Sequence, residues 1–157
     1  VADAIAARRP AEARARTAAS IVGVAVAVLA AASLSALPRY YAAPKQDFRG
    51  AIRYVLEERH PGDRVLAVYL SRIGVRYYGP GLGLVEGRDF VAVHSAAEID
   101  AEKASHPGAR LIAIVTLPRA NRLEYPDLDA RLRAFRLLRT FRGTLGDGDV
   151  TVLVEDP

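Results

Sequence analysis

The sequence has no cysteine, no methionine and no tryptophan, and only two lysines against twenty arginines. Without cysteine it can hold neither a disulfide framework nor a thiolate zinc site. Its histidines, His60, His94 and His106, show no short His-x-His or HExxH spacing, so they form no metal-binding pattern. A block of one charge is also missing. Residues 1–16 hold four Arg against two acids, and residues 39–157 hold 18 bases against 16 acids. That near balance leaves no nucleic-acid footprint. The excess of Arg over Lys accompanies heavy use of Ala, Val and Gly and reads as compositional drift rather than function. With no Met and Val1 first, two readings stand: a C-terminal piece of a longer protein, or a GTG start translated literally.

The 157 residues give room for one domain plus an anchor. Hydrophobic content is 51%, and the excess sits in Thr17–Leu37, 21 residues without a charge. At ~1.5 Å per residue such a helix spans roughly 30 Å, the thickness of a bilayer's hydrocarbon core. Arg8, Arg9, Arg14 and Arg16 precede it, and Tyr40 and Tyr41 follow it. The positive-inside bias then places the N-terminus in the cytoplasm, and paired Tyr suit the far interface. The expected organisation is a cytoplasmic basic segment (1–16), a transmembrane helix (17–38), a juxtamembrane linker (39–46) and an extracytoplasmic α/β domain (47–157), held in the inner (plasma) membrane. Eight of the 21 residues are Ala and only eight are Val, Leu or Ile. A helix so rich in small residues inserts poorly alone and packs closely against other helices, as in a bundle. A cleaved signal peptide ending near Ala30-Ala31-Ala32, or a buried soluble helix, are the rival readings.

Beyond the anchor, helical and strand patterns alternate. Asp47 caps a helix carrying Phe48, Ile52, Val55 and Leu56, which ends near His60-Pro61-Gly62. Arg64 to Leu70, Phe90 to His94, Arg110 to Leu117 and Val150 to Val154 read as strands. Ser71 caps a short helix to Tyr78, Ser95 caps one to about Ser105, and Gly79 to Gly83 is a loop. Asp127 opens a helix with Leu128, Leu132, Phe135, Leu138 and Phe141 on one face. Continuous apolar strands between helices predict a small Rossmann-like three-layer domain with a mainly parallel sheet of about four strands. An internal echo supports this: both His60-Pro61-Gly62 and His106-Pro107-Gly108 join a helix end to a strand, with Arg64 and Arg110 two residues after each Gly. Pro stops the helix and Gly permits the reversal, which assigns His60 and His106 to helix ends.

Self-contained catalysis finds no support. The glycines from Gly79 to Gly87 lack G-x-G-x-x-G spacing and follow a helix, where a dinucleotide site needs a strand. No G-x-S-x-G elbow is present, and Ser71, Ser95 and Ser105 sit where caps and loops belong. Glu57-Glu58 and Asp127/Asp129 fall on solvated helix surface. Arg131, Arg133, Arg136, Arg139 and Arg142 read as a solvated helix face, or as a contact for anionic lipid or a lipid-linked phosphate. The segment Arg39 to Arg49 reads as a linker with a helix cap, or as an interfacial surface touching a lipid-linked substrate.

An apolar helix, Tyr40-Tyr41, then Pro44-Lys45-Gln46-Asp47-Phe48-Arg49-Gly50-Ala51, Pro61-Gly62-Asp63, an apolar strand and Tyr77-Tyr78-Gly79 form a pattern. It resembles the C-terminal end of bacterial family-39-like membrane glycosyltransferases of the GT-C type, related to protein O-mannosyltransferases and lipid A aminoarabinose transferases. The family more usually has Trp where Phe48 stands. The resemblance covers roughly Ser20 to Gly79 well and the remainder in outline. It implies a multi-spanning enzyme that takes a sugar from a polyprenyl-phosphate donor, with Tyr41, Lys45, Gln46, Asp47, Arg49, Tyr77 and Tyr78 near the substrate. The family's acidic catalytic residues lie in an early loop, so none carries over onto this chain, which is expected to be inactive alone. The implied partners are the bilayer, other transmembrane helices of the parent protein and a polyprenyl-phosphate-linked sugar, without nucleic acid; no cofactor is implied. A singly anchored extracytoplasmic binding module without catalysis is the alternative. Sequencing the DNA upstream of the Val1 codon is expected to continue the reading frame through further apolar helices and an acidic loop. A ribosome-binding site directly before a GTG at Val1 would overturn that.

Overall fold

The computed structural model describes residues 2–42, 45–144 and 146–157, with side chains described for 18–38, 45–144 and 146–157. The chain divides between residues 43 and 44 into two units, each taken by itself. The first is one helix, α1 (Ala2–Ala42). Its window Ala18–Pro38 has mean hydropathy 2.3 and is exposed throughout, which makes it long and apolar enough to cross a membrane. A hydroxyl in such a stretch needs a partner, and Ser35 Oγ donates to the Ala32 carbonyl at 2.7 Å. Helical backbone continues past the apolar window in both directions, through positions expected to be a basic segment and the start of a linker.

The second unit contains α2 (Phe48–Glu58), β1 (Arg64–Val68), α3 (Ser71–Tyr78), a 3-10 turn (Pro80–Leu82), β2 (Phe90–Val93), α4 (Ala96–Ser105), β3 (Leu111–Thr116), α5 (Pro118–Glu124), α6 (Pro126–Leu132), β4 (Arg136–Phe141) and β5 (Val150–Glu155). Five strands form one sheet in the order β2-β1-β3-β5-β4. β1 pairs parallel with β2 and with β3, whereas β5 pairs antiparallel with β3 and β4. The expected mainly parallel sheet of about four strands is corrected accordingly: there are five, and half the pairings are antiparallel.

Strand alternation divides the core in two. Val65, Ala67, Ile112, Ile114, Val150, Val152 and Val154 pack with Phe48, Ile52, Val55 and Val75 of α2 and α3. Leu66, Val68, Leu111, Ala113 and Val115 face the other way, onto Ile99, Leu128, Leu132 and Phe135. The connection from β1 to β2 and that from β2 to β3 cross the sheet in opposite directions. Crossovers of one hand therefore place α3 and α4 on opposite faces.

Local chemistry sets the helix starts. Asp47 caps α2 by accepting from the Gly50 N–H at 2.8 Å, and Ser95 caps α4 by accepting from the Glu98 N–H at 3.2 Å. Ser71 is not the expected cap. It is the first residue of α3, buried, and its hydroxyl lies 2.6 Å from both the Val68 and Ile114 carbonyls. The two His-Pro-Gly turns behave alike: Gly62 (φ 95°) and Gly108 (φ 83°) take the left-handed conformation that lets the chain reverse into the sheet.

The expected helix from Asp127 to Phe141 ends at Leu132. Residues 136–141 are the edge strand β4, with a bulge between Leu137 and Arg139. Leu128, Leu132 and Phe135 belong to one core, but Leu138 and Phe141 pack against the other. No straight helix can serve both faces of a sheet, and pairing with β5 overrides the local 3.6-residue pattern. The arginines read as one helical face are thereby split between α6 and β4.

α3 crosses α2 at a glycine. A Cβ added at Gly74 would meet three Phe48 ring carbons at 2.4–2.6 Å, and Phe48 is itself buried. Gly74→Ala is expected to destabilise by roughly 1–2 kcal/mol net, because overpacking outweighs the gain in helix propensity. Gly81→Ala, whose Cβ would meet nothing within 4 Å, is expected to leave stability unchanged or slightly raised. Urea unfolding followed by tyrosine fluorescence checks both.

Candidate functional site

α2 begins directly after its Asp47 cap, so Arg49 and Arg53 lie one turn apart on the flank of the helix that faces α3. The last turn of α3 ends in Tyr77 and Tyr78, and the Gly79-Pro80-Gly81-Leu82 turn folds back beside them. Together these residues line an open cleft of about 370 Å³ formed by Arg49, Arg53, Tyr77, Tyr78, Gly81 and Leu82. The Arg49 guanidinium carbon stands 5.2 Å from the Tyr78 ring centroid. Tyr77 meets Tyr78 edge-on, with centroids 4.8 Å apart, and is 77% exposed. Neither Arg49 nor Arg53 forms an ion pair with a described residue. Two guanidiniums without carboxylates, beside two aromatic rings, can take a phosphate and the ring attached to it.

The structure thus brings together Arg49, Tyr77 and Tyr78 and adds Arg53. It places the other expected site residues elsewhere. Tyr41 lies in α1, and its side chain falls outside the described residues. Gln46 donates from Nε2 to Thr116 Oγ1 at 3.0 Å, and Thr116 Oγ1 donates to the Asp149 carbonyl at 3.0 Å. The Lys45 carbonyl approaches Gly143 so closely that a Cβ there would come within 2.4 Å of it. Lys45 and Gln46 therefore seat the incoming chain at the carboxyl end of β3, while Asp47 caps α2.

A second polar cluster lies where the parallel strands end. Tyr69 (φ 46°) follows β1 and Leu117 (φ 51°) follows β3, and both hold a left-handed conformation that is costly for side-chain-bearing residues. The Tyr69 hydroxyl donates to Glu124, and its ring lies 4.6 Å from that of Tyr125. Arg72 Nη1 meets His94 Nε2 at 2.6 Å, and the His94 N–H donates to Glu98 at 2.7 Å. Asn121 is buried, donating to the Thr116 carbonyl at 3.3 Å while its Oδ1 has no hydrogen-bond partner among the described residues. This cluster lies outside the sequence-predicted site. Its only linear signal is position: each residue follows a strand end or lies on the next helix.

At the opposite end of these strands the two His-Pro-Gly turns line one cleft of about 530 Å³. Arg110 ties them together, donating to Asp63 at 2.6 Å and to the Glu58 carbonyl at 2.8 Å. Burial pushes the Asp63 carboxyl up, but the Arg110 guanidinium and the His60 N–H outweigh it and hold the group below its usual range. His106 closes α4, its N–H donating to the Lys103 carbonyl, as expected of a helix-end residue.

No family model, no curated protein and no solved structure matches the chain.

The hydrogen bond to Glu124, followed by partial desolvation, pushes the Tyr69 phenol up to about 12. The neutral phenol donates to the carboxylate, and ionisation would set two negative charges against each other. What this bond contributes is therefore present through neutral pH and lost as pH rises through the raised value. Glu124→Gln is expected to return one tyrosine toward the ordinary value near 10 in a spectrophotometric titration. An unchanged titration curve would remove Glu124 as the cause.

Proposed function

We propose that this chain is the terminal membrane helix and extracytoplasmic domain of a GT-C-type membrane glycosyltransferase that uses a polyprenyl-phosphate-linked sugar. The acidic catalytic loop belongs to a part of the protein outside this chain, and the domain here helps to seat the donor. The observation that carries the reading is the convergence of Arg49 with Tyr77 and Tyr78. These residues are far apart in sequence, they belong to the two ends of the family-like pattern, and they line one cleft. The chemistry fits: guanidiniums pair bidentately with phosphate, and aromatic faces accept a sugar or the first prenyl unit. The apolar window Ala18–Pro38 supports attachment to a membrane, where such a donor resides.

The alternative, a singly anchored binding module, draws on the same cleft. The second unit has its own two-sided core, and the cleft can hold an anion without any reaction.

The test is sugar transfer by the full-length protein in its membrane. Hydrogen bonds to charged groups are worth about 1.5–3 kcal/mol, so Arg49→Ala with Arg53→Ala is expected to lower kcat/KM by about tenfold to a hundredfold. Expression and thermal stability should be preserved, since both side chains are exposed. Unchanged transfer by the double variant would remove the cleft from the donor site.

A further inference from the structure

We infer that the α2–α3 face of the domain docks on the headgroups of anionic phospholipids. The first observation is where uncompensated charge lies. On the α4–α6 side, cations are matched by carboxylates: Arg64 with Glu102 at 2.6 Å, Lys103 with Glu155 at 2.6 Å, Arg131 with Asp100 at 2.6 Å, and Arg133 with Asp129 at 2.9 Å. On the α2–α3 side, Arg49 and Arg139 stand over the rings of Tyr78 and Tyr54, each at 5.2 Å, and Arg53 makes no hydrogen bond, ion pair or ring contact among the described residues. The acids of α2, Glu57 and Glu58, come about 12 Å further along the helix, two turns on from Arg49. At the start of α2, the end at which the chain arrives, the single carboxylate is the cap Asp47, held on the Gly50 N–H, so Arg49 and Arg53 leave that end net positive.

The second observation is apolar. Ile73 and Tyr77 lie one turn apart on α3, with 61% and 77% of their surfaces exposed, and Tyr77 lines the cleft with Arg49 and Arg53. A branched aliphatic and a tyrosine among guanidiniums is the mixture that a membrane interface favours: the apolar parts reach the acyl boundary while the cations meet phosphate. The third observation is the chain itself, whose apolar helix is long enough to cross a bilayer and whose charged face begins at Arg49, 11 residues beyond the end of that span at Pro38. A tethered domain meets that surface at high effective concentration, so a modest attraction suffices. Arg49, Arg53 and Tyr77 also line the proposed donor cleft, so the two readings share residues and are separated by whether phosphatidylglycerol or polyprenyl phosphate is what the face engages.

The absence of cysteine makes a direct test possible. The full chain would be reconstituted in nanodiscs, one copy per disc, as Ile73→Cys and, separately, as Leu123→Cys, which samples the 83%-exposed residue on α5. The rate of reaction with a neutral, water-soluble maleimide is compared between discs of phosphatidylcholine alone and discs with added phosphatidylglycerol. With two arginines engaged at the surface, the thiol at position 73 is expected to react roughly tenfold more slowly in the anionic discs. The thiol at position 123 should react equally in both. High salt, or Arg49→Ala with Arg53→Ala, should restore the fast rate at position 73. Equal rates at position 73 in the two discs would overturn the proposal. So would slow reaction in both discs that speeds up on dilution, which would mark a second copy of the chain as the occupant, and so would slowing that requires polyprenyl phosphate rather than phosphatidylglycerol.

Discussion

Everything in the second unit depends on β3 being buried on both faces and paired on both edges. None of its residues from Leu111 to Thr116 is exposed. It runs parallel to β1 through Arg64↔Leu111 to Ala67↔Ile114, and antiparallel to β5 through Leu111↔Glu155 to Thr116↔Val150. Ile112 and Ile114 enter the core under α2 and α3, while Leu111, Ala113 and Val115 enter the one under α4 and α6. Fully burying such side chains is worth about 1.5–3 kcal/mol each, and a slip of one residue would exchange the two sets between cores of different shape. The ends of this strand also organise the polar features. Thr116 receives the incoming chain through Gln46, Leu117 turns left-handed, and Arg110 ties the two His-Pro-Gly turns together.

Charge is distributed with equal consequence. Burial raises the Glu155 carboxyl, but Lys103 and Arg131 outweigh that and hold it below the usual range. Such a group adds stability at neutral pH that is lost as pH falls through its lowered value. The carboxylates of this layer are thus occupied in holding α4 and α6 to β5. The α2–α3 layer has Arg76 bound to Glu86 but leaves Arg49 and Arg53 without an acidic partner among the described residues. A protein of nearly balanced overall charge can in this way present one neutralised side and one cationic side, which no count of residues reveals.

Legibility in the sequence varied by element, for physical reasons. The turns at His60-Pro61-Gly62 and His106-Pro107-Gly108 were readable because Pro and Gly constrain their own backbone. The caps Asp47 and Ser95 were readable because a cap acts within three residues. Residues 136–141 were misread because Leu138 and Phe141 continue the helical spacing of Leu128, Leu132 and Phe135, and only pairing with β5 decides between helix and strand. The candidate site was half legible. Arg49, Tyr77 and Tyr78 stand in the sequence pattern and Arg53 does not, while Gln46 and Asp47 bond to Thr116 and to the Gly50 N–H, away from the cleft. Tyr69, Arg72 and His94 carry no local signature at all.

The sequence by itself determined what depends on spacing and on backbone chemistry over a few residues. That includes an apolar helix of membrane-spanning length, the starts and stops of α2 and α4, and three strongly apolar strands. The tertiary structure alone decided what depends on partners distant in the chain: the antiparallel half of the sheet, the left-handed residues at the ends of β1 and β3, and the arginines left without acids. Gln46 finds Thr116 across 70 positions, and Arg131 finds Glu155 across 24. Contacts of that kind arise from chain closure around β3, and no window of local sequence contains both partners.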